Sequence, residues 1–440
     1  MNHLDKKANS YFENYTSQII TTSHSVVIDF YEKAFKEELE REWGGEFVKN
    51  LAVFDLMENY AKKFISFWNQ LPSRLSIQHI TKGETKNPAS IYALNKEMIK
   101  NTKNECKFWL QSEDSLLEII ERKKLTDFLE FFLGFMNNIY STHSENTKLY
   151  LPIDFIQAWS LQKTKASFQG GLTAFRKYLL QMANNLGAHV VEKGLCEKIE
   201  IHSGRYQNIE VDGKNVSSPA LILGSSLSCL SSDFCIWKGK SFFHHLKTRP
   251  EPLGWRLTLA MLIDEEGLLE AMPKHSVYQS LGAVPLEIEL ASPGDYELDA
   301  GKSKLVFLRS IMPFESESLE AERQRTMVSR MYRKWNELFP FAERHIKKIY
   351  PDFRSKNFQR EFSEIFGFVA LDYMPLNLRV FSNKTSSGVG SYSGIEGLYV
   401  ATSESYPDLG SLGWVVAALE CVSSQAHRQA HRLGIAGPFG

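Results

Sequence analysis

No run of about 18 apolar residues occurs anywhere in the sequence, so no membrane-spanning helix is expected. Cysteine is scarce. Cys106, Cys196, Cys229, Cys235 and Cys421 are an odd count, and no two stand at Cys-x-x-Cys spacing. That excludes the usual zinc and redox motifs and reads as reduced thiols in a cytoplasmic protein. Charge of one sign is missing too. Lys and Arg total 51 against 52 Asp and Glu, a net charge of −1, which leaves no basic footprint for nucleic acid. The opening residues Met1 to Lys7 lead into polar sequence with no apolar stretch of signal-peptide type. Glycine is thin at the start. Among the first 160 residues only Gly44, Gly45, Gly83 and Gly134 occur, and none forms a Gly-x-Gly-x-x-Gly loop.

What is present is ordinary globular material, 43% hydrophobic and 23% charged over 440 residues. That length calls for two or three domains. Residues 1–165 read as mostly helical. Val26 to Trp43 and Phe47 to Trp68 are helical in character, the first stopped by Gly44-Gly45. Leu116 to Tyr140 carries apolar residues at three- and four-residue steps and is unusually aromatic from Phe128 to Met136. This aromatic stretch reads as a core helix, with the wall of a greasy tunnel or a membrane- or partner-facing surface as the sharper alternatives.

From Ser167 the character changes. Thr173 to Leu186 is helical. His189 to Glu192, Glu197 to His202 and Ala220 to Leu223 read as short strands, and Ile209 to Gly213 as a hairpin. Trp255 to Asp264, Leu286 to Leu290 and Leu305 to Ile311 suit an antiparallel sheet with one wet face. Ser318 to Trp335 is a charged helix, and Phe339 to Tyr350 is expected to add another. Thr385 to Gly397 reads as loop, Leu398 to Ala401 as a strand, and Gly413 to Arg432 as a helix.

Catalytic sets are hard to find. His244 and His245 are adjacent, so on a strand they point to opposite faces. His427 and His431 share a helix face but have no evident third ligand. Ser225-Ser226 follows Gly224 without a Gly-x-Ser-x-Gly elbow.

Two separated segments carry a resemblance. The first is Ser167-Phe168-Gln169-Gly170-Gly171-Leu172, then Leu186-Gly187-Ala188-His189-Val190, Leu195 to Ile199, Val211-Asp212-Gly213 and Ala220 to Leu223. The second is Gly397-Leu398-Tyr399-Val400-Ala401-Thr402-Ser403, running on through Pro407-Asp408-Leu409-Gly410 to Gly413. In order and spacing these resemble the phytoene desaturase and amine oxidase superfamily of FAD-dependent oxidoreductases. The resemblance implies an α/β fold, in part α+β. An incomplete FAD-binding Rossmann-like domain would be joined to an antiparallel β-sheet substrate-type domain and a helical cap. It implies boundaries at 1–165 for the cap, 166–235 for the FAD-type remnant, 236–380 for the β-rich domain and 381–440 for the C-terminal FAD-type segment. By family position the cofactor residues would be Cys196, Thr402, Ser403, Gly410 and Leu412.

Besides lacking an evident catalytic set, the chain departs from the family in two respects, its first nucleotide-binding unit and its last motif. The glycine-rich unit that cradles a pyrophosphate is missing from the N-terminal part. Gly388-x-Gly390 lies in a Ser-rich loop with no preceding strand. Thr402 and Ser403 stand where the family most often has Gly and Asp, and Asp408 replaces a turn glycine. Three functions follow. One is a degenerate member that does not hold FAD alone and serves as a non-catalytic or partner-completed subunit. Another is an active flavin desaturase on an apolar substrate, with its nucleotide-binding unit supplied in trans. The third is a binding module for an apolar small molecule. A protein partner or second copy is expected, at a cytoplasmic location peripheral to a membrane or free of one.

Overall fold

The computed structural model describes residues 12–14, 16–28, 32–44, 51–74, 98, 100, 118, 128–140, 152–163, 166–191, 194–224, 235–238, 252–270, 272–280, 285–291, 302–313, 320–362, 372–375, 395–402, 415, 417–419 and 421–422. Along the chain come β1 (Phe12–Asn14), β2 (Ser17–Ile20), β3 (Ser25–Ile28), α1 (Glu32–Trp43), α2 (Leu51–Arg74), α3 (Leu129–Tyr140), α4 (Pro152–Gln162), β4 (Ala166–Phe168) and α5 (Gly171–Asn185). There follow β5 (Cys196–His202), β6 (Arg205–Val211), β7 (Lys214–Ser217), β8 (Leu221–Leu223), β9 (Cys235–Lys238), β10 (Pro252–Asp264), β11 (His275–Tyr278), β12 (Leu286–Leu290) and β13 (Ser303–Pro313). The last described elements are α6 (Ala321–Leu338), β14 (Ile346–Tyr350), the single turn α7 (Phe358–Glu361), β15 (Asp372–Pro375) and β16 (Leu398–Val400). The chain divides into two compact units. One comprises residues 1–62, 104–188 and 251–376, and the other residues 63–103, 189–250 and 377–440.

The first unit is built on an eight-stranded sheet ordered β14-β10-β13-β12-β11-β2-β3, with β15 also paired to β10. Strand alternation divides its residues between two faces. Leu257, Leu259, Met261 and Ile263 of β10 and Leu308 of β13 form one apolar face. It packs with Val328, Met331, Tyr332 and Trp335 of α6. Those four stand at i, i+3, i+4 and i+7, the stripe an amphipathic helix needs to bury itself on a sheet.

At the opposite end of the sheet α3 lies against β2 and β11. Gly134 permits that approach, because a Cβ there would stand 2.5 Å from Ile19 Cγ2. The aromatic stretch is core. Phe132 meets Phe155 edge-on at 4.5 Å, and Phe35 of α1 meets Trp159 of α4 at 4.5 Å. Asn137 Nδ2 donates to Gln279 Oε1 at 2.8 Å, which tethers α3 to the residue after β11.

The second unit contains a four-stranded sheet ordered β7-β6-β5-β9 and a separate parallel pair, β8 with β16. Its core includes Ile199, Ile201, Tyr206, Leu398 and Val400.

Several expectations need correction. The N-terminal region is not uniformly helical. Ser25-Val26-Val27-Ile28 is a β-branched run that pairs antiparallel with β2, and the helix expected from Val26 begins only at Glu32. The helix expected over Phe339 to Tyr350 is a 3₁₀ turn, Glu343–His345, followed by β14. Pairing with β10 decides that outcome, with Ile349 opposite Met261. His189 to Val191 is irregular rather than a strand. The large sheet is not purely antiparallel, because β2 joins β11 in parallel. Most of the Leu116 to Phe128 stretch, His244-His245, Gly388-x-Gly390, Tyr406 to Gly413 and His427 and His431 lie outside the described residues.

Candidate functional site

Three places combine chemistry with defined geometry, one in the second unit and two in the first. In the second unit β8 and β16 run parallel, Leu221 opposite Leu398 and Leu223 opposite Val400. Backbone bonds extend the pair at both ends. Leu221 N–H donates to Gly397 O at 2.8 Å, and Ala401 N–H to Leu223 O at 2.8 Å. Gly397 holds φ +82°, and a Cβ there would meet Pro219 O at 3.2 Å, so glycine is required at the entry to β16. β16 is buried along its whole length, whereas Ile222 of β8 is 43% exposed.

Thr402 follows directly and is buried. Cys421, from the helical segment that includes 417–419, contacts Val400 O through Sγ at 3.7 Å. Cys196 opens β5 and is exposed, and its neighbour Leu195 donates its N–H to Asp212 Oδ1 at 2.8 Å. The opposite end of β5, on the order of 20 Å away along a seven-residue strand, carries the Gly204 turn. Glu396 donates its N–H to Gly204 O there at 2.9 Å, just ahead of β16. Of the five sequence-derived cofactor positions, Cys196 and Thr402 are therefore located. Ser403, Gly410 and Leu412 lie outside the described residues.

In the first unit the second face of the large sheet carries a compact ionic cluster. Glu287 and Glu289 are two apart on β12 and share a face. Arg309 on β13 stands opposite Glu287. Its guanidinium lies 3.5 Å from Glu287, bonds Glu289 directly, and sits 5.2 Å from the centre of the Phe307 ring. His275 of β11 completes the set, with Nε2 at 2.9 Å from Glu287 Oε1. His275 and Glu287 are each only 7% exposed. The cluster sets one guanidinium and one imidazole against two carboxylates. Sequence inspection missed it, although the Glu-x-Glu alternation inside Leu286 to Leu290 was a readable sign.

The third place lies among the helices of the first unit. Glu58 Oε1 accepts from Trp159 Nε1 at 2.7 Å and pairs with Lys163 Nζ at 3.1 Å. The Lys163 ammonium lies 5.0 Å from the Trp159 ring centre. Both members of the ion pair are about nine-tenths buried. Such pairs fix geometry more than they add stability. Among the described residues no group of three His, Cys, Asp or Glu could hold a metal ion, and no helix is long and apolar enough to cross a membrane.

No protein-family model matches the chain, and no curated protein matches it in sequence. Solved structures do match in fold. An oxidoreductase from Methanosarcina mazei superposes with a TM-score of 0.53 at 14% identity, over 94% of this chain and 81% of that one. Putrescine oxidase bound to putrescine gives a TM-score of 0.46 at 11% identity, over 95% and 82%. A Rab GDI from Plasmodium falciparum gives 0.42 at 9% identity, over 94% and 77%. At these identities the likeness is one of architecture, and the chain has the fold of the Methanosarcina mazei oxidoreductase.

Proposed function

We propose that this chain is a degenerate relative of the FAD-dependent oxidoreductases that does not hold FAD by itself and acts as a non-catalytic or partner-completed subunit. The observation that carries this reading is Thr402, whose buried side chain directly follows β16 of the parallel pair β8–β16.

Two N-terminal glycines, Gly44 and Gly134, are committed to other tasks. Gly44 closes α1 at φ +58°, and Gly134 is buried inside α3 against Ile19. The first strands that could have begun a nucleotide-binding unit, β2 and β3, instead form an antiparallel hairpin through Thr21 to His24. A strand, glycine loop and helix of the kind that cradles a pyrophosphate is not among the described residues. The buried Thr402 side chain stands where the resemblance calls for glycine. These residues do not fit FAD.

Titration of the purified chain with FAD, followed by quenching of flavin fluorescence, tests the reading. We expect no saturable binding. One tightly held FAD per chain would refute it.

The exposed side chain of Ile222 also favours a second reading, in which another polypeptide supplies the nucleotide-binding unit and restores flavin chemistry. In that case FAD binds stoichiometrically only to a purified complex. The aromatic helix gives less support to an apolar-ligand module, because Phe131, Phe132 and Phe135 pack against Phe35, Phe155 and Trp159.

A further inference from the structure

In the described strand order the large sheet ends at β3 on one side and at β14 on the other. An edge strand turns a row of backbone groups away from the sheet, and these can pair with another chain. β14 carries Lys347 and Lys348, and charged side chains on an edge discourage such pairing. β3 has no such protection of its own. Ser25-Val26-Val27-Ile28 contains no charge, proline or glycine, and its β-branched run favours pairing.

The outward backbone groups of β3 are instead taken up by side chains of α1. Ser25 N–H donates to Glu42 Oε2 at 3.2 Å, and Val27 N–H to Glu38 Oε1 at 3.0 Å. Ser25 O accepts from the Arg41 guanidinium at 3.1 Å. Ser25 and Val27 are two apart, so these groups share the side of the strand that faces away from β2. Glu38, Arg41 and Glu42 stand at i, i+3 and i+4, on one face of the helix. Arg41 also bonds both carboxylates, Glu38 Oε1 at 2.8 Å and Glu42 Oε1 at 2.7 Å, which steadies them against the strand. Glu42 Oε2 meets His24 Nδ1 at 3.2 Å, just ahead of β3. Both carboxylates are only 17% exposed, whereas Arg41 is 60% exposed. Two acceptors and a donor are what a neighbouring strand would offer at these positions.

We propose that Glu38, Arg41 and Glu42 act as a side-chain strand that closes the β3 edge and keeps it from pairing with the same edge of a second copy. A second copy is the occupant the edge would take, because an uncharged run with donors and acceptors on one side is its own complement in antiparallel register. α1 is anchored independently of these three side chains. Phe35 and Leu39 are buried, and Phe35 packs on Phe131 and Trp159.

The experiment compares two double variants of the full chain, Glu38→Gln with Glu42→Gln and Glu38→Ala with Glu42→Ala. Glutamine keeps an acceptor oxygen without the charge, whereas alanine removes both. Hydrogen exchange on peptides spanning β3 reads the cover, and sedimentation velocity at micromolar concentration reads association. The glutamine pair should match the parent in both. The alanine pair should exchange the β3 amides roughly tenfold faster, as loss of a charge-assisted hydrogen bond allows. It should also sediment as a larger assembly than the parent. Adding Val27→Lys puts a charge on the strand itself and should reverse that association. Thermal unfolding reports whether each variant folds. Should the alanine pair not fold, Glu38→Ala alone decides by the same readings, since it frees only the Val27 N–H. Unchanged exchange in the alanine variant would overturn the proposal. Faster exchange without association would also overturn it, by showing that the body of the helix closes the edge. So would a glutamine pair that behaves like the alanine pair, or association that survives Val27→Lys.

Discussion

Gly134 shows how far one missing side chain matters in this molecule. Its backbone touches Ile19, which is fully buried and cannot swing aside, and Gln279 Cβ would lie 3.2 Å from an added Cβ. Gly134→Ala should destabilise the chain by about 1–3 kcal/mol despite the better helix propensity of alanine, as overpacked cores do. Chemical denaturation measures it, and an unchanged midpoint would mean that α3 and β2 are less closely packed than described. The buried Glu58–Lys163 pair gives a second test at this scale. Glu58→Ala strands a buried ammonium and should cost about 3–5 kcal/mol. Replacing both residues with Met should recover most of that loss, and equal damage in the two variants would contradict the assignment. Asp264 adds a pH signature. The Lys347 ammonium and the Ser303 hydroxyl hold its carboxyl below the ordinary value of 3.8. Its contribution is therefore complete above that value and is lost as pH falls through the lower folded value. In thermal melts, Asp264→Asn should approach the parent only at the acid end.

Among the elements, α5 and α6 make an instructive contrast. α6 buries Val328, Met331, Tyr332 and Trp335. The apolar side of α5, with Phe175, Tyr178, Leu179 and Met182, reaches half-burial at most, and Leu179 is 43% exposed. Stability follows buried contact, so the amides of α5 should exchange with solvent faster than those of α6, as hydrogen-exchange mass spectrometry can read. Equal protection would show that α5 has a cover in solution.

The same comparison explains what could be read from sequence. The limits of β12 were legible because Leu286 to Leu290 alternates cleanly, and α6 because its apolar positions keep helical spacing. β14 was not. Ile346-Lys347-Lys348-Ile349-Tyr350 suits either period, and its pairing with β10 is a long-range event. The ionic cluster was legible by half. Glu287 and Glu289 announce a shared face, but Arg309 and His275 reach them only through strand register. For the cofactor-type segment, sequence located the strand Leu398 to Val400 and its parallel neighbour, while nothing in the residue pattern disclosed that Ile222 would face outward.

For the molecule as a whole, the two units are built differently. The first has a wide sheet, a helix on one face and an aromatic helical core at one end. Among the described residues the second unit combines a four-stranded sheet with a parallel pair. The sequence of residues 1–160 has no Gly-x-Gly-x-x-Gly loop and Thr402 is buried, two remote features on which the proposed reading of a chain that does not hold FAD by itself rests. The most direct test of that claim is the absorption spectrum of the purified full chain, recorded as isolated and after incubation with excess FAD and gel filtration. The account predicts a colourless protein in both cases. A yellow protein carrying one flavin per chain would contradict it.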